Sequence, residues 1–170
     1  MLALKPLRFF RHPMAPPAKS KVEQQPEAPH ISAWSHSVRS LEHLRFADTD
    51  LNGHITHPAV AALLQNARAL LLADPNGRLA VRGARWVTRS LTIDFLGETF
   101  WPGTVEIHTG ITRVGTSSLH IQQCLAQEGN DKAEGRAVMV LMDIATGRAM
   151  AIPPAIRQVL SEITESAPCP

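Results

Sequence analysis

Residues 48–55, Asp48-Thr49-Asp50-Leu51-Asn52-Gly53-His54-Ile55, decide the fold because they suit two structures that exclude one another. They match the front half of a helix-flanked calcium loop, and they equally suit a tight carboxylate-bearing turn ahead of one buried helix. A calcium loop of the EF-hand type takes oxygen ligands at positions 1, 3 and 5, glycine at 6 and a bidentate glutamate at 12. Asp48, Asp50, Asn52 and Gly53 comply, but position 12 is Ala59, position 11 is Pro58, and the residues entering the loop are strand-like. The missing glutamate removes two oxygens from the shell, which leaves calcium the weakest of the readings.

Outward from the turn, residues 35–46 place Val38, Leu44 and Phe46 in a strand, with Leu41 out of phase. On the other side Val60, Leu63, Leu64, Ala67 and Leu71 follow helical spacing from Pro58 to Ala73, and alanines and leucines fill most remaining places. The spacing predicts one long, largely buried helix. Pro58 suits the first helical position, where a missing N–H costs nothing, so His57 is the expected N-cap. The stretch Asp74 to Gly77 ends the helix. Strands are then predicted over 79–96, 104–114, 118–128 and 134–144, followed by a Thr146–Gly147 turn and a short helix from about Pro154 to Ile163. Four consecutive strands with connections this short imply an antiparallel sheet. Val105, Ile107 and Ile111 alternate with Glu106 and His108, so one sheet face meets water. The expected class is α+β, with the sheet wrapped around a helix that is apolar nearly all round.

A chain of 170 residues suits one domain. Lys5, Arg8, Arg11, Lys19 and Lys21 precede any acidic residue, so the isoelectric point of about 8.8 reflects the front of the chain. Beyond it the balance is slightly acidic, which gives no footing for a nucleic-acid groove. Residues 1–33 are rich in proline and poor in periodic apolar residues, and are expected to be a disordered basic extension, with 34–165 forming the domain. Cys124 and Cys169 show no ligand or disulfide spacing, so no metal site and no cofactor is expected. No apolar run approaches the roughly 20 residues of a membrane span. The cytoplasm is the expected compartment, with the basic leader leaving organelle targeting open.

Phe46 to Ile55, followed by the helix carrying Gln65-Asn66-Ala67-Arg68, together with IDFLGE at Ile93–Glu98 and ITRVGTSSLHIQQ at Ile111–Gln123, resembles the hot-dog fold 4-hydroxybenzoyl-CoA thioesterase family over about residues 38–160. The resemblance implies an antiparallel five- or six-stranded sheet wrapped around one long buried helix. It also implies a homodimer or dimer of dimers with sites at subunit interfaces, acting on acyl-CoA or acyl carrier protein thioesters. It makes Asp50 the catalytic carboxylate and gives the His57 main-chain N–H to the thioester carbonyl. Relatives carry Asn-Asn and a tyrosine-rich helix where this chain has Thr56-His57 and Gln65-Asn66, and this chain has no tyrosine.

The chemistry is consistent with that assignment. A thiol has an unperturbed pKa near 8.5 and leaves without a proton donor, so one ionised carboxylate suffices as nucleophile or general base. The free N–H groups and positive end of a helix starting at Pro58 suit the oxyanion. Gly53 permits the tight turn between them. Asp48 is expected to brace the loop, and the imidazoles of His54 and His57 to be structural, since no third metal ligand lies near. Gln65, polar among leucines, is expected either to face the acyl group or to satisfy a buried carbonyl. Gly115, Thr116 and Ser117 form a turn in any case and are candidates for the pantetheine arm. The alternative function is a non-catalytic hot-dog module that binds acyl thioesters or acts as a scaffold.

Overall fold

The computed structural model describes residues 37–74 and 76–165. The expected extension over 1–33 therefore lies outside the described residues. The elements run β1 (Val38–His43), a 3-10 turn (Phe46–Asp48), α1 (His57–Ala73), β2 (Ala84–Phe95), β3 (Thr104–Val114), β4 (Ser118–Gln127), β5 (Asn130–Asp143) and α2 (Pro154–Glu165). The five strands form one antiparallel sheet in the order β1-β3-β4-β5-β2. This is the α+β hot-dog arrangement, with α1 lying in the concave face.

Alternation builds the core. The inward residues of β3 and β4, among them Val105, Ile107, Leu119, Ile121 and Leu125, are almost fully buried. Leu64 of α1 is fully buried and packs so closely on the sheet that a side-chain carbon at Gly135 would stand 3.0 Å from its Cδ1. Val60, Leu63, Leu64 and Ala67 anchor one apolar cluster against β3 and β4, while Leu71 joins a second, closed by Leu79, Ile152 and Leu160 of α2.

Several boundaries differ from expectation for local reasons. β1 stops at His43, because Phe46 leaves the sheet in the 3-10 turn and stands 70% exposed. β2 starts at Ala84, since Leu79–Gly83 turn first, with the N–H groups of Ala80 and Ala84 bonded to the carbonyls of Gly77 and Val81. A bulge between Thr88 and Ser90 shifts the phase of β2, so Thr88 lies opposite inward Met139 and Val87 opposite Val140. β5 begins early because Glu128 (φ 53°) and Gly129 (φ 75°) make a two-residue hairpin turn with both central residues left-handed.

The helix also differs. Its inner face is buried as expected, but Ala62, Gln65, Asn66, Ala69, Leu70 and Ala73 are not buried in the single chain. The wrap is therefore one-sided. Short alanines make much of the outer stripe, and Leu70 is the one large apolar side chain of α1 left in water.

Candidate active site

The turn at 48–55 is closed by its own backbone. The Asp50 N–H donates to the His54 carbonyl (2.8 Å), Gly53 to Asp50 (3.2 Å) and Thr56 to Asp48 (2.9 Å). Gly53 has φ +82°, the left-handed conformation that the residue type supplies without strain. The turn is tied to the β2–β3 connection by the Ile55 N–H to the Thr99 carbonyl (2.8 Å) and by a bridge between His54 and Phe100. Buried Gln127 holds that connection in turn, accepting from the Phe100 N–H at 2.9 Å and donating to the Phe100 carbonyl at 2.7 Å. The Asp50 loop thus stands on a rigid support, although its tip, Leu51, is fully exposed.

The two aspartates have different surroundings. Arg45 Nε and Nη2 each donate to the Asp48 carboxylate at 2.8 Å. That two-bond clamp holds the Asp48 carboxyl below the usual carboxylate range. Asp50 has no cationic partner of that kind. Its Oδ1 accepts from the N–H groups of Asn52 (2.8 Å) and His54 (3.0 Å). The Asn52 N–H is the largest influence lowering its pKa, so Asp50 is ionised at neutral pH with Oδ2 lightly engaged, 3.4 Å from the Asn52 amide.

Thr56, and not His57, caps the helix. It is extended (φ −66°, ψ 150°), and its hydroxyl accepts from the Ala59 N–H at 3.4 Å, while its carbonyl accepts from the Val60 N–H at 3.0 Å. The correction follows from hydroxyl chemistry: threonine can take an orphan amide proton of the first turn, and a ring nitrogen at 57 would have to fold back to do so. With Pro58 lacking a donor, the His57 N–H is left as the first-turn donor with no acceptor among the described residues. The His57 ring stacks on Phe95 at 4.1 Å, and the His54 ring meets Phe100 edge-on at 4.7 Å. Both imidazoles are thereby placed against aromatic rings. Among the described residues no group of three His, Cys, Asp or Glu side chains could hold a metal ion.

Asp50, His54, His57 and Pro58 line one open cavity of about 520 Å³ with Phe95 and Lys132. The volume lies within the roughly 300–1,000 Å³ of small-molecule sites. Asp50 and His57, the residue that carries the unspent helix N–H, therefore border the same space. Gln65 is not among its lining residues; it is exposed farther along α1 and borders a second cavity, so it has no buried carbonyl to satisfy. The Gly115–Ser117 turn lies at the far end of β3 from the Asp50 loop. Its carbonyls are engaged there: Arg157 donates to Gly115 (2.9 Å) and Thr116 (3.3 Å), the Leu141 N–H to Ser117 and the Ile152 N–H to Thr116 (both 2.9 Å). One chain does not bring that turn to Asp50.

Thr56, Phe95, Lys132 and Gln127 join the site beyond the residues that the sequence singles out. The first has a legible signal, a threonine three residues before an alanine in the opening helical turn. The others reach the site from distant strands, which no local pattern announces.

The sheet, the central helix and the acid turn at its tip define a thioesterase-like protein. Residues 44–160 match the thioesterase-like superfamily, and the chain belongs to it. Its structure is similar to that of a predicted thioesterase from Bacillus stearothermophilus, at 30% identity and TM-score 0.67 over 73% of this chain and 93% of that one. A protein from Pseudomonas aeruginosa is 25% identical, with TM-score 0.70 over 82% and 99% of the two chains. A Thermus thermophilus thioesterase complexed with coenzyme A and zinc shares the fold, at 22% identity and TM-score 0.68 over 79% and 98%. No curated protein matches the sequence.

Proposed function

We propose that the protein hydrolyses acyl-CoA thioesters, or those of acyl carrier protein, with Asp50 as the reacting carboxylate and the His57 N–H as oxyanion donor. The observation that carries this reading is the shared cavity: Asp50, whose carboxyl is ionised, and His57, whose N–H has no acceptor among the described residues, line the same space. The thioester carbonyl oxygen would accept from His57. Asp50 either takes a proton from the water that attacks the carbonyl carbon, giving the acid directly, or attacks that carbon itself, giving a mixed anhydride that water cleaves in a second step to release the acid and restore the carboxylate. The C–S bond breaks with its electron pair leaving on sulfur, and the negative charge on the carbonyl oxygen collapses back. Coenzyme A as carrier is supported by two solved structures of the same fold, the Thermus thermophilus thioesterase and a Staphylococcus aureus protein in complex with CoA.

A homodimer is part of the reading. β2 is a terminal strand of twelve residues, bonded on one side only among the described residues, with Val87, Leu91 and Phe95 each more than a third exposed. A long apolar edge of this kind is a template for another strand. A second copy would also be the source of any Gly115–Ser117 contact with substrate at Asp50. Buried Cys124 is a free thiol, which fits a cytoplasmic setting.

The test is thiol release from benzoyl-, octanoyl- and palmitoyl-CoA. Turnover of any of them above the uncatalysed rate supports hydrolysis. Saturable binding with no turnover of any of them would favour the non-catalytic module.

A further inference from the structure

The inner face of α1 carries one side chain that the hydrophobic pattern does not explain. Arg68 occupies a core position between Leu64 and Leu71 and is 3% exposed. Its Nη1 donates to Gln123 Oε1 at 2.6 Å. Gln123, fully buried, is fixed in that orientation because its amide nitrogen donates to the Leu64 carbonyl (2.9 Å) and to Thr109 Oγ1 (3.0 Å). A guanidinium has five N–H donors and stays protonated in proteins. Among the described residues this one neutral acceptor is the only partner supplied, and no acidic side chain pairs with Arg68. Burial lowers its pKa with no opposing attraction from a carboxylate.

Arg68 lines a cavity of about 660 Å³ between the second half of α1 and the start of β2. The cavity shares no lining residue with the one at Asp50. Its walls are largely apolar, including Leu72, Trp86 and Met139, and the only other charged side chain lining it is a second guanidinium, Arg85. Two positive forks, buried Arg68 and exposed Arg85, in an open and largely apolar groove lined by no acid match an anion that is flat, accepts two parallel hydrogen bonds and carries an apolar body. We propose that this cavity binds the carboxylate of an organic acid, with Arg68 as its anchor and the apolar walls around its chain.

Two sources of that carboxylate share the chemistry. One is a free acid. The other is the far end of an acyl group that itself terminates in a carboxylate and whose thioester lies at Asp50, since α1 rises only about 16 Å from His57 to Arg68. The second source rests on the proposed hydrolase reading; the first does not.

The full chain is titrated with decanoate and with decanol, followed by melting temperature and calorimetry, as wild type, Arg68→Met and Ala69→Trp. Ala69 is exposed and borders the cavity, so tryptophan there plugs the chamber without loading the core. Decanoate is expected to bind wild type and raise its melting temperature, decanol to bind at least tenfold more weakly, and both variants to lose at least tenfold in decanoate affinity. Should Arg68→Met fail to fold, the plugged variant decides alone. Equal decanoate affinity in wild type and the plugged variant would overturn the proposal. So would the absence of any decanoate effect on wild type; a fall in mass of Arg68→Met by light scattering would then give the guanidinium to a second copy's acid. Given binding, the kcat/KM ratio of hexadecanedioyl-CoA to palmitoyl-CoA assigns the source. A preference for the diacid that collapses in Arg68→Met identifies the acyl terminus, and an unchanged ratio identifies the free acid.

Discussion

Replacing His57 by proline deletes a single hydrogen-bond donor from the proposed site. In the first turn of α1, the Val60 N–H is taken by the Thr56 carbonyl, the Ala59 N–H by the Thr56 hydroxyl, and Pro58 has none. The His57 N–H has no acceptor among the described residues, so its loss breaks no internal bond there. The backbone accepts the change, since proline is favoured at the first helical position and Thr56 is already in the extended conformation that a following proline requires. His57→Ala is the reference: it removes the same imidazole and its stack on Phe95 but keeps the N–H. Loss of one oxyanion donor costs about 2.7–4 kcal/mol of barrier, or about 100- to 1,000-fold in kcat. The proline variant is therefore expected to turn over about 100- to 1,000-fold more slowly than the alanine variant, at a melting temperature equal or higher. The assay is steady-state thiol release, with circular dichroism to confirm the fold. Equal kcat in two folded variants would refute the assignment of this N–H to the oxyanion.

The remaining expectations concern the frame around the site. Asp48→Asn loosens an exposed ion pair to Arg45, and Asp48 does not line the Asp50 cavity, so kcat should stay within about fivefold of wild type, marking Asp48 as a brace. Leu64→Ala opens a void where α1 meets Gly135 and should cost about 2–5 kcal/mol in urea unfolding. Asp74, which ends α1, is held below the ordinary carboxylate value chiefly by hydrogen bonds from the Arg78 side chain. A depressed folded-state pKa contributes stability above the unfolded value of about 3.9, and that contribution is lost as pH falls through the folded value. Asp74→Asn should therefore lower the urea midpoint at pH 7 and lose its effect on strongly acidic titration; a deficit that persists unchanged would contradict the pairing. Burial, reinforced by Asp131, pushes the Cys124 thiol far up, so it should not react with a thiol reagent until the chain unfolds.

Element order is legible in the sequence because local spacing carries it: helical period from Pro58 to Ala73, alternation in β3 and β4, and breaks between strands. The β2 bulge and the early start of β5 are not, since the first depends on which residue of β5 lies opposite and the second on two successive left-handed residues, one of them a glutamate. At the site, the proposed division between Asp48 and Asp50 comes from the family resemblance, and the Arg45 clamp on Asp48 is a contact that the sequence does not announce. The N-cap lies one residue ahead of the expected His57 because the Thr56 hydroxyl, and not the position of the proline alone, decides where the first turn is closed. Gln65 and Arg68 illustrate what period alone misses. They are three residues apart, yet the glutamine faces water and the arginine faces the core, where Gln123 of β4 receives it. A sheet residue fifty-five positions away supplies that acceptor, and nothing in the helix sequence points to it.

The central claim is most directly tested by Asp50→Asn, assayed for thiol release on whichever acyl-CoA wild type turns over fastest. Asparagine keeps an Oδ1 acceptor for the Asn52 and His54 N–H groups, so the turn and the melting temperature should be preserved while the charge is lost. A fall in kcat of about 100- to 10,000-fold with intact folding is the predicted result. A folded Asp50→Asn protein with wild-type kcat would contradict the account.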